Sequence, residues 1–94
     1  MVAGELMEIK LHTTGLFRNG VPVKDMILNF NGDYVNLGEV YDNAVRLFHE
    51  QGIHFDEGDL LMAIEGRVVP KNNWKEYRVF NGQTCSMFPP LAGG

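Results

Sequence analysis

Apolar and polar residues alternate in two stretches near the start of the chain, at residues 5–12 and 25–31. In each stretch every second side chain is apolar and the others are mostly polar, which is typical of a strand with one buried face. The apolar positions are Met7, Ile9 and Leu11 in the first stretch and Met26, Leu28 and Phe30 in the second. The short connection contains Asn19-Gly20, a turn signal, so we expect the two strands to pair antiparallel.

The apolar spacing changes to a helical period after Asn31-Gly32-Asp33 and predicts one amphipathic helix of about four turns. Asn36 is a suitable N-cap, with Glu39 placed as in a variant capping box. Gly52 supplies the left-handed residue that ends such a helix. The expected buried face consists of Leu37, Val40, Tyr41, Ala44, Leu47 and Phe48, and the expected exposed face of Glu39, Asp42, Asn43, Arg46 and Glu50.

The second half of the chain predicts further strands separated by turns. Residues 60–65 form a mostly apolar run that Gly66 turns into residues 67–70, and residues 71–73 are expected to be a loop. Trp74 is the largest candidate for a small cluster beside the main core. Asn81-Gly82 precedes a final strand, residues 83–88. One face of that strand carries Cys85 and Met87, and the other carries Thr84, Ser86 and Phe88.

This order of two strands, one long helix and at least two more strands predicts an α+β layer pair with a mixed sheet of four to five strands packed on one main helix. The last strand has no short hairpin to an earlier one, so we expect it beside the first strand in the middle of the sheet. Residues 1–88 are then one domain, and residues 89–94 are a flexible tail ending in Gly-Gly.

Composition narrows the class of protein. The 94 residues are 45% hydrophobic, which suffices for one core without disulfides. The single cysteine, and the lack of an apolar span or a basic leader, are what we expect of a cytoplasmic protein without membrane contact. Eight Lys and Arg against twelve Asp and Glu give a net charge of -4, which argues against nucleic acid and favours a partner with a basic surface.

The final six residues, Pro89-Pro90-Leu91-Ala92-Gly93-Gly94, combine a stiff stalk with a thin tip. The two prolines restrict the backbone to extended geometry, and the two glycines carry no side chain. Six extended residues reach roughly 20 Å, enough to enter a deep cleft on another protein. Leu91 is the one bulky side chain after the prolines and could anchor the tail there.

The chain resembles the ubiquitin-like sulfur carriers of the β-grasp fold. Residues 81–94, with the turn, the apolar strand, Phe-Pro-Pro, a small apolar pair and Gly-Gly, resemble the end of the small subunit of molybdopterin synthase. Residues 64–74, from a strand through Val69-Pro70 to Trp74, are more similar to the thiamine-pathway sulfur carrier. Strand order and helix position match over essentially the whole chain.

The resemblance implies a carrier and not an enzyme. A partner resembling the ubiquitin-activating enzymes would use ATP to adenylate Gly94, and a sulfur donor would displace AMP to leave a thiocarboxylate. The tail, Pro89 to Gly93, would then enter a large synthase subunit or a thiazole synthase, with Phe88 as a possible docking residue. The carrier itself would bind no cofactor and no metal.

Molybdopterin synthesis is the pathway that the resemblance favours, and three alternatives stay open. The first is sulfur transfer of the thiamine type or by another thiocarboxylate route. The second is a ubiquitin-like modifier that forms an isopeptide bond through Gly94. The third is a β-grasp interaction module whose glycines are incidental.

Other residues with reactive side chains have simpler interpretations. Cys85 has no cationic neighbour in the sequence and is expected to be a small buried apolar residue. The three histidines, His12, His49 and His54, lack metal-ligand spacing. The glycines Gly32, Gly38 and Gly52 form no phosphate-binding loop. The acidic residues Asp56, Glu57 and Asp59 are expected in a solvated loop, with docking onto a basic partner as the alternative. For Phe88, the pattern leaves open an exposed anchor or a residue that caps the core.

Overall fold

The protein, in a computed structural model that describes residues 6–13, 15, 17–18, 21–53 and 60–89, has one long helix and a mixed sheet. The strands are β1 (Leu6–Thr13), β2 (Phe17–Arg18), β3 (Val21–Pro22), β4 (Met26–Asn31), β5 (Val35–Asn36), β6 (Leu61–Ile64), β7 (Arg67–Val68), β8 (Arg78–Val79) and β9 (Thr84–Phe88). The helix is α1 (Leu37–Glu50), and a 3-10 helix covers Lys71–Asn73.

Five strands form the main sheet in the order β4-β1-β9-β6-β7. The first strand pairs antiparallel with β4 and lies beside β9, both as the sequence predicted, and its pairing with β9 is parallel. The strands β2 and β3 pair with each other, and β5 pairs with β8, outside this sheet. One helix on a mixed five-stranded sheet is the ubiquitin-like β-grasp fold, which confirms the expected fold class.

The core lies between α1 and the inner face of the sheet. Met7, Ile9 and Leu11 are all buried, as their alternation predicted, and Leu28 joins them from β4. The buried face of α1 differs from the expected one at two positions, because Val45 is buried and Leu47 only partly so. The apolar stripe of the helix is therefore rotated slightly toward Val45.

Trp74 belongs to the main core and not to a separate cluster. Its ring lies 5.0 Å from the ring of Tyr41, centroid to centroid, and its indole Nε1 donates a hydrogen bond of 2.8 Å to the carbonyl of Val69. The expected loop at residues 71–73 is a 3-10 turn that brings this side chain onto α1. The indole therefore connects the helix to the chain that follows β7.

The helix N-terminus is capped by the protein itself. The side chain of Asn36 accepts a 2.9 Å hydrogen bond from the Glu39 amide, as predicted. The amides of Leu37 and Gly38 donate to the carbonyls of Tyr77 and Trp74, at 2.9 and 3.2 Å. Three of the four amides that a helix leaves free at this end are thus satisfied by the fold.

At the other end of the helix, Gly52 terminates it two residues after Glu50, also as predicted. Gly52 has φ 79° and donates to His49 at 2.9 Å, while Ile53 donates to Phe48 at 2.8 Å. This pair of bonds is a Schellman motif, which needs a left-handed residue at the position of Gly52. Buried Ile53 then returns the chain to the core.

The cap at Asn36 gives a testable prediction for stability. Replacing Asn36 by Ala removes the acceptor for the Glu39 amide, and we expect the free energy of unfolding to fall by about 1 kcal/mol in urea titration. Asn36→Asp keeps the acceptor and is the matched control, for which we expect stability near that of the wild type. Equal losses in both variants would mean that the cap bond does not stabilise the helix.

Candidate functional site

The expected functional tail meets the described part of the structure at Phe88 and Pro89. Pro90, Leu91, Ala92, Gly93 and Gly94 lie outside the described residues, as do His54, Asp56, Glu57 and Asp59. What the structure describes is the strand that leads to the tail and the surface around its end. The candidate site is therefore built from β9 outward.

The strand β9 lies in the centre of the sheet, between a parallel and an antiparallel neighbour. Its last pairs are Met87 with Thr13 in β1 and Phe88 with Leu61 in β6. Paired on both sides, the strand is fixed up to the residue before Pro89. This arrangement confirms the predicted central position and gives the following residues a defined starting direction.

The start of β9 is fixed by the strands beside it. The amide of Gly82 donates to the carbonyl of Glu8 at 2.8 Å, and the Glu8 amide donates to the Asn81 side chain at 2.7 Å. On the other side, a Glu65 carboxylate oxygen accepts from the Thr84 amide at 2.7 Å. The turn signal Asn81-Gly82 thus joins β9 to β1 as well as reversing the chain.

Glu65 itself has a left-handed backbone conformation, which residues other than glycine seldom adopt. Its φ is 50°, and Gly66 follows at φ 85° in the tight turn between β6 and β7. Left-handed geometry at a residue with a side chain costs free energy. The Glu65 side chain offsets part of that cost by its bond to Thr84, which links the turn to the start of the central strand.

Pro89 leaves the sheet against the chain that follows β1. A methyl group added at Gly15 would lie 3.4 Å from Cδ of Pro89, so the two residues are in close contact. Pro89 is half-buried and has a fixed φ because of its ring. The first residue of the tail is therefore positioned by its own ring and by the loop at Gly15.

Beside this exit, the outer face of the sheet carries an apolar surface that we call the exit patch, formed by Leu61, Ala63, Val68 and Phe88. Leu61 pairs directly with Phe88 and Ala63 with Val68, so the four side chains share the face turned away from α1. Val68 is 57% exposed and Leu61 36%. Phe88 is half-buried on this outer face, so it is neither a fully exposed anchor nor part of the core.

Sequence reasoning found Phe88 but missed the other three members of the exit patch. Ala63 is buried and yet lies outside the core cluster, because it faces away from the helix. Residues 60–65 are almost continuously apolar, so their alternation could not be read. These three residues could have been recognised only from the pairing of β6 with β9, which is visible in the fold and not in the sequence.

Cys85 lies on the inner face of β9 and is fully buried in the core. Burial, together with the smaller effect of the nearby Glu65 carboxylate, raises the pKa of its thiol to about 12. A thiol in this state is overwhelmingly protonated at neutral pH and is a poor nucleophile. This is the buried apolar role that the sequence predicted.

The structure does not bring the two described histidines, His12 and His49, together. The His12 ring contacts the Asp25 carboxylate, whereas His49 lies in the last turn of α1. Among the described residues, no group of three or more His, Cys, Asp or Glu side chains is arranged to hold a metal ion. In the same part of the chain, no helix is long and apolar enough to cross a membrane.

Comparison with known proteins gives one family and two structural neighbours of note. The family model described as the ThiS family matches residues 2–94. The solution structure of the HVO 2177 protein of Haloferax volcanii is 25% identical, has a TM-score of 0.63, and covers 95% of this chain and 88% of that chain. No curated protein matches this chain significantly.

A more distant neighbour supports the fold alone. The solution structure of the C-terminal ubiquitin-like domain of mouse tubulin-specific chaperone e is 15% identical, with a TM-score of 0.55. That likeness covers 100% of this chain and 96% of the other.

The raised pKa of Cys85 predicts a pH dependence of stability. Above the ordinary thiol pKa of 9.0 and below about 12, unfolded chains release a proton that the folded protein keeps. Rising pH therefore favours unfolding in this window, by up to about 1.4 kcal/mol per pH unit from this group. We expect the free energy of unfolding of the wild type to fall more steeply than that of Cys85→Ala, whose cavity cost does not depend on pH. Parallel curves for the two proteins would contradict the assignment.

Proposed function

The chain belongs to the ThiS family and is a ubiquitin-like sulfur carrier protein, and from that premise we propose that Gly94 carries the sulfur as a C-terminal thiocarboxylate. The pathway that we propose is molybdopterin synthesis, as the resemblance of residues 81–94 implies. The protein acts as a carrier, and the catalytic acids and bases belong to its partners.

The proposed chemistry takes place at the Gly94 carboxylate. A carboxylate is a poor electrophile, so an adenylating partner first transfers AMP from ATP to it and releases pyrophosphate. A sulfur donor then adds to the carbonyl carbon of the acyl adenylate, and AMP leaves. The thiocarboxylate that results is a good nucleophile: its sulfur attacks the acceptor in a synthase to form a thioester, and water hydrolyses the bond between the acyl carbon and sulfur, which leaves the sulfur on the acceptor and Gly94 as a carboxylate.

The observation that carries this proposal is the position of β9. A strand held on both sides delivers Pro89 from the centre of the sheet, and the sequence after Pro89 narrows to Gly93-Gly94. A rigid base and a tip without side chains suit a residue that enters another protein's active site. The family match also extends through Gly94, so the tail lies within the matched region.

The rest of the described chain supports a carrier role. The only cysteine in the sequence, Cys85, has its thiol buried with a raised pKa, so it is a poor acceptor for sulfur. The amides at the start of α1 are occupied by the protein's own carbonyls and by Asn36, which leaves little there for a phosphate group. Both observations favour chemistry at the tail.

We assign docking of the partners to the exit patch. It places four apolar side chains next to the point where the tail begins, and Val68 and Leu61 are accessible there. A partner that covers this surface also receives the tail in a fixed direction. Apolar anchors of this kind supply most of the binding free energy in many interfaces.

Mass spectrometry tests the thiocarboxylate directly. With its adenylating partner, ATP and a sulfur donor, we expect intact mass spectrometry to find a species heavier by the exchange of one oxygen for sulfur, on the terminal peptide. Deletion of Gly94 should abolish that species, while Cys85→Ser should retain it. A carrier that stays entirely a carboxylate under these conditions would refute the proposal.

The pathway and the class of product are tested in the same reaction. Supplied in turn with the large synthase subunit of the molybdopterin route and with a thiazole synthase, the charged carrier should give product with the former. Turnover with the latter alone would assign the thiamine route. Isopeptide-linked conjugates on lysines of other proteins would identify a modifier instead.

A substitution in the exit patch tests docking of the partners through this surface. Leu61→Asp places a charge in the patch without touching the core, and we expect the KM for adenylation of the carrier to rise by roughly tenfold. Leu6→Asp is the matched control. Leu6 is also an exposed leucine, but it is the first residue of β1 and lies at the end of the sheet away from the tail exit. An unchanged KM in a folded Leu61→Asp variant would exclude the exit patch as the docking surface.

A further inference from the structure

The chain that follows β1 lies beside the first residue of the tail. Thr13, the last residue of β1, pairs with Met87 in β9, and two residues further along each chain Gly15 contacts Pro89. The two chains therefore stay side by side past the end of their parallel pairing. Proline has no amide hydrogen to donate, so the contact at Pro89 is one of packing. Whatever fixes the chain at Thr13 and Gly15 also fixes the base of the tail.

On its other side, Thr13 is held by a side chain in place of a strand. The last pair between β1 and β4 is Leu11 with Met26, so the antiparallel ladder ends before Thr13. The Asp25 carboxylate takes over there, because its Oδ1 accepts a hydrogen bond of 2.9 Å from the Thr13 amide. Asp25 thus supplies the acceptor that a longer β4 would have supplied from its backbone.

The Thr13 hydroxyl makes a second connection to the same segment. Its Oγ1 donates a hydrogen bond of 2.8 Å to the carbonyl of Val23, whose side chain is buried in the core. The other carboxylate oxygen of Asp25, Oδ2, contacts the His12 ring, so Asp25 is held at both of its oxygens. Thr13 is therefore fixed through its amide, through its hydroxyl and by its pairing with Met87.

The direction of the chain at Pro89 matters because the tail is long and narrow. Six extended residues span roughly 20 Å, so a rotation of about 20° at the base moves the tip by roughly 7 Å. The rings of Pro89 and Pro90 restrict rotation of the backbone, so part of a change at the base is passed on toward Gly94. In an active site, misplacement of a reacting group by about 1 Å can lower the rate by about a hundredfold.

We propose that Asp25 and Thr13 are positioning residues for the sulfur chemistry at Gly94. Asp25 holds Thr13, and the segment that follows supports Pro89 through Gly15, so the pair sets the direction in which the tail leaves the sheet. The assignment rests on the proposed function. It separates two tasks, because the exit patch on the β6 side of β9 binds the partner, and the segment on the β1 side directs the tail.

A matched pair of double variants tests the contact in the free, full-length protein. Asp25→Ala with Thr13→Val removes both hydrogen bonds, while valine keeps the branched shape of threonine. Asp25→Asn with Thr13→Ser keeps an oxygen acceptor and a hydroxyl. We expect the nuclear Overhauser effect between Gly15 Hα and Pro89 Hδ to be lost in the first protein and retained in the second. Circular dichroism checks that both are folded.

Kinetics of adenylation test what the contact does for the reaction. With the adenylating partner and ATP, and with the carrier as the varied substrate, pyrophosphate release measures kcat and KM. For Asp25→Ala with Thr13→Val we expect kcat to fall by roughly tenfold, because the bound tail less often points into the active site. KM should stay that of the wild type, because the exit patch is unchanged, and Asp25→Asn with Thr13→Ser should restore kcat. A rise in KM with kcat unchanged would refute the positioning role.

Asp33→Ala is the control for the loss of a carboxylate. Asp33 is exposed, follows β4 at the end of the sheet away from Pro89, and forms no ion pair with another described residue. We expect it to change neither the Overhauser effect nor kcat, and an equal loss of kcat would mean that net charge is responsible, which refutes the proposal.

The Overhauser effect does not depend on sulfur chemistry, so the two proposals fail in different ways. A wild type that forms no thiocarboxylate refutes the proposed function. A contact between Gly15 and Pro89 that survives in Asp25→Ala with Thr13→Val refutes the positioning role of the pair.

Discussion

Pairing of β9 on both sides is the constraint on which the rest of this structure depends. A parallel bond pattern to β1 and an antiparallel one to β6 leave this strand no freedom to slip, because Cys85 and Met87 must stay on the buried face. A shift by one residue would expose both and bury Ser86. The core that α1 makes with the sheet therefore also fixes where Pro89 leaves the protein.

The same constraint accounts for the state of two groups in the described residues that could otherwise have taken part in chemistry. Cys85 lies in the apolar core as an uncharged thiol, because burial raises its pKa to about 12. The N-terminal amides of α1 bond to the segment between the 3-10 helix and β8, which anchors Trp74 over the helix. In this part of the chain, groups that could have formed a site are used to hold the fold, which agrees with the proposal that the sulfur is carried by Gly94.

Much of this fold could be predicted from the sequence wherever the deciding interaction is local. The alternation around Ile9, the Asn36 cap and the Gly52 stop depend on residues close in the chain, and each is confirmed. Features that depend on distant partners could not be predicted in this way. Trp74 joins the core only because its ring meets Tyr41 of α1, and the exit patch exists only because β6 lies beside β9. The short strands β5 and β8 were missed for the same reason.

The two faces of the sheet differ in what they leave accessible to other molecules. The inner face is filled by α1, so the face that the sheet offers to other molecules is the outer one. The exit patch lies on that outer face where the tail begins, which is why we propose it as the docking surface. A thin tip without side chains offers a partner little to recognise, and specificity must therefore come from the sheet.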